Sequence, residues 1–539
     1  MGVGVSRKTR APVREVREII WVPDRDVAPL KTLDELLEYQ GQPLLCVVEP
    51  LSDAIRRGEP GSPRTIFCHD MDNNYKEDRF IYGCEEADVY RFYHWQIIDT
   101  FIYYSHHMVT IPPPGWISAA HRHGVNVLGT FILGSNDIKT INRIRGAGLA
   151  PQVAAQLAKV AAVGRFDGWL VSIGCNMLNE KNACFFNLCD GIFLNFRWTE
   201  AVLRRSAQLA GDRKADVYAG VDVFARNTWY IGGYGMYKAV QLARRCGVSA
   251  AVFAAGWVYQ TQGKKRFARN QYKLWSFPDD CCSEWCLTKP PLTTSFCQGF
   301  GSKLFKAGRS VHSRPWFNLH KQQLQPRDQG ESLCDTCCSV KAHTDDAYDG
   351  GCSLRVLFKR NPHVPDAKPY IRLFGCDFPL GSLEVSYTFK NLGSCTSVNN
   401  DISIVLKARN AAGEIEEVDL GVVARLPEGD SYAVTRQPDN DADETGASWV
   451  TRKYHLEDLR GAGGAVLREI GLHFLCTDKE PVVCLLGRLD IRRPGDTDDV
   501  VPIDNTGEKT VLGDDSDSDE EPEAKRLRDE QYGFDVVQA

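Results

Sequence analysis

No stretch of this 539-residue chain approaches the 18 or so uninterrupted apolar residues of a membrane span. Its opening, MGVGVSRKTRAPVREVRE, holds no apolar run fit for a signal peptide. These absences predict a chain without a transmembrane segment, kept in a reducing compartment and placed in the cytosol. A large excess of either charge is also missing. The 64 basic and 70 acidic residues leave a formal charge of −6, which excludes a basic nucleic-acid scaffold and predicts no nucleic-acid partner. Glycine (46) and proline (26) stay near average usage, so fibrous and low-complexity classes drop out. A phosphate-cradling loop is absent as well, because Gly232-Gly233-Tyr234-Gly235 lacks the flanking Lys and Ser/Thr.

What remains is 43% hydrophobic and 25% charged residues, an enzyme-like globular composition. At roughly 100 to 200 residues per domain the length allows two to four domains, one of which can be a barrel of about 250 residues. The 19 cysteines are an odd number, and Cys68, Cys189, Cys246 and Cys376 sit inside apolar runs. In a reducing compartment they read as small core residues or free thiols rather than a disulfide framework. The clusters Cys281, Cys282, Cys286 and Cys334, Cys337, Cys338, with Cys352 following, invite a zinc reading. A second pair at matching spacing is not evident, so the thiol reading is preferred and no metal is expected. The first six residues fit the N-myristoylation pattern at Gly2, with Arg7, Lys8 and Arg10 as a basic second signal. One such chain gives marginal, reversible membrane contact.

Residues 1 to 60 form an N-terminal arm. From 65 onward short apolar runs recur, at 65–68, 101–104, 125–132, 168–171, 191–194, 217–221 and 250–254. Continuous hydrophobicity marks strands buried on both faces, and helix-like stretches at 151–163, 200–210 and 237–246 lie between them. This series predicts a TIM-type (β/α)8 barrel over 61–340. Only seven runs are present, however. The shortage lies between the fourth and fifth, where residues 172 to 190 show no periodic amphipathic helix. Alternation and turns over 345–500 predict a β-sandwich. Residues 501–539, with the run DDSDSDEE at 514–521 and KRLR at 525–528, predict a disordered acidic tail.

A TIM barrel places its active site at the C-terminal ends of its strands. These ends carry His69-Asp70, Ser105-His106-His107, Asn195-Phe196-Arg197-Trp198, Asp222-Val223-Phe224-Ala225-Arg226 and Gly256-Trp257-Val258-Tyr259. Flat aromatic faces beside amides and carboxylates suit a sugar-binding cleft. The substrate-binding candidates are therefore His69, His106, Asn195, Phe196, Trp198, Asp222, Phe224 and Trp257. Adjacent histidines point opposite ways along a strand, which favours hydrogen-bonding or structural roles over metal ligation for His106-His107 and His121-Arg122-His123. Asp70 and Asp222 read equally well as an acid/base pair or as braces for a histidine or arginine.

The stretches DTFIYYSHHMVT (99–110), IPPPGWISAAHRHGVNVLGTFI (111–132), RFDGWLV (165–171), LCDGIFLNFRW (188–198), DVYAGVDVFAR (216–226) and TTSFCQG (293–299) resemble the cytosolic endo-β-N-acetylglucosaminidases of glycoside hydrolase family 85. PLKTLDELLEY (29–39) and Cys68-His69-Asp70 with Glu77-Asp78-Arg79-Phe80 are similar to that family too. The resemblance implies a glycosidase that cuts the GlcNAc-β-1,4-GlcNAc core of N-glycans and free oligosaccharides, deglycosylates misfolded glycoproteins, and needs no cofactor. It also implies a retaining, substrate-assisted mechanism. The 2-acetamido oxygen attacks the anomeric carbon to form an oxazoline, an Asn orients the acetamido group, and a Glu two residues on protonates the leaving oxygen.

This sequence departs from that pattern where the chemistry sits. After RFDGWL the family runs into Asn-Ile-Glu-Asn, and here the positions read Ser172, Ile173, Gly174 and Cys175. A following helix and a strand ending in Trp-Tyr-Asp-Ser are absent, in line with the seven-run count. Leu133-Gly134-Ser135 also stands where the family carries Glu-Trp after its Gly-Thr-Phe-Ile run. Two expectations follow: an endo-β-N-acetylglucosaminidase by descent, and a catalytically inactive shortened form that at most binds glycan. Glu180 is a poor substitute acid, because it falls in a linker ahead of the next strand. A barrel lacking one βα unit would expose two unpaired edges unless 183–188 fills the gap.

Overall fold

The computed structural model describes residues 26–41, 48–71, 75–134, 137–172, 177–278, 281–282, 285–327, 330–331, 338–358, 370–392, 400–429, 431–439, 448–461, 464–476 and 482–496. Gly2, Gly174, Cys334, Cys337 and the acidic run lie outside the described residues.

The apolar runs become seven parallel strands: β1 (Thr65–His69), β2 (Thr100–Tyr103), β3 (Asn126–Ile132), β4 (Gly168–Ser172), β5 (Ile192–Leu194), β6 (Val217–Asp222) and β7 (Ser249–Phe253). Their hydrogen-bonded order is β5-β6-β7-β1-β2-β3-β4, so each pairs with its sequence neighbour and β7 closes onto β1. Among the described residues no strand pairs with the outer side of β4 or of β5. The sheet belongs to the TIM-barrel type, and among the described residues β4 and β5 stand at the two ends of its strand order. The segment expected as a possible filler, Ala183–Leu188, is a short helix and not a strand.

Alternation sorts the side chains of each strand into two cores. Ile66, Cys68, Ile102, Tyr218 and Ala251 form a small inner cluster, with Tyr104, Leu128, Leu170, Phe193 and Phe253 against it. Phe67, Phe101, Val127, Val221 and Val252 face outward into the main core with Trp95, Trp116 and Trp275. The covering helices form where their apolar spacing allows. Pro114–Arg122 begins with proline in its first turn and buries Trp116, Ile117, Ala119 and Ala120. Ala150–Gly164 buries Val153, Leu157 and Val160, one stripe at helical spacing, and stops at Arg165 in the left-handed region (φ 56°). Glu200–Ala210 is capped by the Thr199 hydroxyl, which accepts from the Val202 amide.

Two further sheets share a second apolar core. In one, Tyr370–Pro379, Val466–Cys476, Asn400–Arg409 and Ile415–Leu420 lie side by side. The other holds Ser353–Phe358, Val482–Arg492, Leu383–Asn391 and Val450–Asp458. Leu383, Val385, Tyr387 and Phe389 are buried at every second position, as a half-buried strand requires. Sheet membership crosses the division expected at 340–345. Ile55–Arg57 and Trp285–Leu287 extend the first sheet, while Leu292–Thr294 and Cys338–His343 belong to the second. These strands are too short for their alternation to stand out in the sequence. Among the described residues no helix is long and apolar enough to cross a membrane.

Candidate functional site

At the C-terminal mouth of the barrel, strand register decides which side chains meet. Two residues beyond the last inward position of β1, β2, β6 and β7 stand Asp70, Tyr104, Asp222 and Phe253. His106 Nε2 lies 3.8 Å from Asp70 Oδ2 and is 39% exposed. The Tyr104 ring meets His106 at 5.3 Å and Phe253 at 5.5 Å, both edge-on. Asp222 is fully buried and accepts two bonds from Arg226, Nε to Oδ2 at 2.9 Å and Nη2 to Oδ1 at 3.0 Å. Its carboxylate also accepts the backbone amides of Phe224 (3.2 Å) and Arg226 (2.9 Å). Its own amide donates to the Tyr230 hydroxyl at 2.8 Å. These bonds fold the loop after β6 back over the mouth, with the Arg226 guanidinium 5.0 Å from the Phe224 ring and 5.8 Å from Phe253. The hydrogen bonds that its guanidinium donates to Asp222 hold Arg226 above the usual value, and the negative charges of Asp222 and Asp70 add to this. Asp222 therefore acts as the brace of an arginine, one of its two expected roles.

Beside this group lies an open depression of about 420 Å³ lined by Phe224, Ile231, Tyr234 and Trp257. Trp257 is half-buried and meets the Tyr234 ring edge-on at 5.3 Å. Gly233 (φ 52°) backs that indole so closely that a Cβ there would lie 2.8 Å from it. Asn195, above β5, is half-buried, and its side-chain oxygen accepts from the Phe196 amide at 2.7 Å. Phe196 is half-buried beside it. The mouth thus offers aromatic faces, an imidazole, an amide and a guanidinium, the donor and stacking set suited to a polyhydroxylated ring.

Two candidates stand elsewhere. His69 points outward because β1 alternates: its ring is 3% exposed, stacks on Tyr90 at 5.0 Å, and lies 3.9 Å from Asp78 Oδ2. Asp78 in turn accepts from Tyr103 (3.0 Å) and Trp116 (2.9 Å), so His69 belongs to the outer core. Trp198 is fully buried, donates to the Gly220 carbonyl at 2.7 Å and stacks on Tyr230 at 5.6 Å, leaving no face for a ligand. Tyr104, Arg226, Tyr234 and Phe253 were not among the candidates; counting by twos from the inward residues of each strand would have found Tyr104 and Phe253. Ser172 ends β4 and is half-buried. Glu180 is 74% exposed and lies 3.8 Å from Arg205 on the outer surface, away from the mouth.

His121 and His123 take structural places. His121 bonds the Glu49 carbonyl (2.8 Å) and Asp167 (2.9 Å), and His123 bonds the Ala119 carbonyl (2.7 Å). Among the described residues no three His, Cys, Asp or Glu side chains group as metal ligands do. Cys68, Cys246, Cys281, Cys286 and Cys376 are buried, whereas Cys189, read as a core residue, is exposed beside the short helix Ala183–Leu188.

Residues 73–177 and 175–304 match the sequence profile described as "Glycosyl hydrolase family 85", in two pieces that meet at 175–177. The cytosolic endo-beta-N-acetylglucosaminidase of Gallus gallus is 40% identical over 344 residues, which cover 54% of this chain and 47% of that protein. Its counterpart from Mus musculus is 33% identical over 539 residues, covering 86% of this chain and 71% of the relative. The chain thus spans about half the length of the chicken relative. The 344 matched positions take up 54% of this chain, about 290 residues, so about 50 of them have no residue in this chain. Among solved structures, the Endo-D glycoside hydrolase domain from Streptococcus pneumoniae R6 is similar in fold, with a TM-score of 0.63 at 16% identity over 87% of this chain and 83% of that one.

Proposed function

Since this chain belongs to glycosyl hydrolase family 85, we propose that it recognises the GlcNAc-β-1,4-GlcNAc core of N-glycans and free oligosaccharides in the cytosol, and that it binds this core without cleaving it. The observation that carries the reading is the contrast at the barrel mouth. A braced cluster of polar and aromatic groups is in place around Asp70, His106, Asp222 and Arg226, yet among the described residues β4, which ends at Ser172, pairs with no strand other than β3. The two pieces of the family match meet at that same place, and about 50 matched positions lack residues here. Both points support the absence of one βα unit.

The retaining, substrate-assisted scheme needs an amide to orient the 2-acetamido group and an acid to protonate the leaving oxygen. Ser172 and Gly174 supply neither. Loss of a general acid removes about 3 to 5 kcal/mol of transition-state stabilisation, and loss of the orienting amide leaves the internal nucleophile unpositioned. Asp70 and Asp222 do not replace the acid, because one faces His106 and the other is committed to Arg226. Glycans on misfolded glycoproteins fall in the same ligand class. No step in this scheme calls for a cofactor.

The test is a labelled high-mannose oligosaccharide ending in chitobiose. Saturable binding with no released product supports the reading, and turnover approaching that of an intact relative overturns it. A transcript encoding Asn-x-Glu and a further strand between codons 172 and 180 would identify this chain as a shortened product of a locus that also makes an active enzyme.

A further inference from the structure

The loop after β6 carries an aromatic side chain that the cluster at the mouth leaves unused. Residues 223–233 return on themselves: the Gly233 amide donates to the Val223 carbonyl at 2.7 Å, and Ala225 and Asn227 take the left-handed region (φ 54° and 55°) to make the turn. A compact loop with its ends joined holds its shape by its own bonds. Along its return limb the side chains alternate. Tyr230 is buried, with its hydroxyl accepting from the Asp222 amide at 2.8 Å and its ring stacked on Trp198 at 5.6 Å. Its two neighbours are turned to solvent, Trp229 at 54% and Ile231 at 65% exposure. Apolar side chains scattered singly over a surface need no explanation. Trp229, however, is pinned. Its indole Nε1 donates to the Trp198 carbonyl at 2.6 Å, and its ring meets those of Trp198 and Tyr230 edge-on at 5.6 Å and 5.7 Å. The polar edge of the indole is thereby satisfied while more than half of the residue stays open. Trp198 follows Asn195 and Phe196 at the end of β5, and Ile231 lines the depression shared with Phe224, Tyr234 and Trp257. Trp229 therefore stands on the rim between the ends of β5 and β6.

On the reading of the mouth as an N-glycan receptor, on which this rests, we infer that the Trp229 indole is the stacking platform for a mannose beyond the chitobiose core. The occupant follows from position and chemistry. Tyr230 turns inward to the brace at Asp222, so the same backbone turns Trp229 away from the group formed by Asp70, His106 and Arg226. A ligand that engages both must extend past a disaccharide, and in an N-glycan the sugars past the chitobiose are mannoses. The axial C–H bonds at C3 and C5 give a mannopyranose one apolar face, which suits the flat, electron-rich face of an indole. Pinning matters as much as exposure. An aromatic ring already fixed by a hydrogen bond and two ring contacts gives up little side-chain freedom on binding, so most of the contact is realised as affinity. Trp229 is then a specificity residue: it separates a glycan with its mannose branches from the bare core.

The test is calorimetric titration of the full chain with two ligands, chitobiose and a high-mannose oligosaccharide ending in chitobiose. The parent chain is expected to hold the high-mannose ligand about tenfold more tightly than chitobiose. Trp229→Ala is expected to abolish that difference while chitobiose affinity stays within about twofold of the parent, which also shows that the mouth remains folded. Trp229→Phe separates stacking from the loop's own bonding, because it keeps a flat ring and loses the donor to the Trp198 carbonyl. It is expected to retain most of the preference for the high-mannose ligand. Equal affinity of the parent for both ligands, a Trp229→Ala variant that loses both alike or neither, or a Trp229→Phe variant as weak as Trp229→Ala overturns the inference. If the parent binds neither ligand, the reading of the mouth as a glycan receptor itself fails. If it binds both and the preference survives Trp229→Ala, the inference alone falls.

Discussion

Asp222 is the residue on which the mouth of the barrel depends most directly. Its buried carboxylate accepts four bonds, two from the Arg226 side chain and two from backbone amides, and all four vanish together in Asp222→Ala. Leaving those donors unpaired costs about 2 to 3 kcal/mol and releases the loop that carries Phe224. Urea unfolding should show that loss, and oligosaccharide binding should weaken in the same variant, with Asp222→Asn milder on both because one oxygen still accepts. Buried histidines set the acid limit of the molecule. Burial pushes His94, His123 and His320 down to about 3, whereas an unfolded histidine titrates near 6.5. Protons therefore bind the unfolded chain more readily. The stabilisation from these neutral rings is complete above about pH 6.5 and is lost as pH falls from there toward 3, by up to ~1.4 kcal/mol per pH unit for each ring. Urea midpoints measured from pH 7 to 5 should fall, and His94→Phe should reduce that slope by about a third. The contrast between His69 and His106 shows what the sequence could convey at this scale. Both stand at strand ends in polar company, yet the last inward residue of β1 is Cys68, so His69 turns into the outer core and Asp70 takes the mouth.

Between elements, Arg57 is a joint. It sits on the short strand Ile55–Arg57 of the two-sheet region, yet its guanidinium donates to carbonyls of Trp95 (3.1 Å), Gly124 (2.7 Å) and His123 (2.6 Å), and to that of Ile98. Those carbonyls flank β2 and β3 of the barrel. Arg57→Met should cost about 3 to 5 kcal/mol by stranding several acceptors at once, and Arg57→Lys should recover only part, since an ammonium cannot span the same fork. Thermal unfolding of the two variants beside the parent checks the order. Elements with a long, regular pattern were legible from sequence: the expected 151–163, 200–210 and 237–246 correspond to Ala150–Gly164, Glu200–Ala210 and Tyr237–Arg245. Three-residue strands such as Trp285–Leu287 were not, because pairing with a distant partner and not local alternation makes them strands.

On the scale of the whole molecule, the barrel and the two-sheet region are tied by shared strands. Ile55–Arg57 precedes β1 and Trp285–Leu287 follows β7, and the two pair antiparallel before joining Tyr370–Pro379 through Leu287 and Cys376. Leu292–Thr294 pairs with Val482–Arg492 in the other sheet. The hairpin of Gln298–Gly301 with Trp316–Gln322 lies between, where the Trp95 indole donates to Gln322 at 2.5 Å. A fragment of residues 61–340, the bounds that composition suggests, keeps Trp285–Leu287 and Leu292–Thr294 and removes the strands they pair with. Leu287 and Leu292, each 2% exposed in the full chain, would then lose their cover. Burying a leucine is worth about 1.5 to 3 kcal/mol, comparable with a sizeable part of a domain's net stability. Residues 61–340 expressed alone should therefore lack the cooperative thermal transition and near-ultraviolet dichroism of the full chain. The full chain should melt in one step, since neither apolar core can open without exposing strands of the other. Two separate calorimetric transitions would show that the shared strands do not couple the cores.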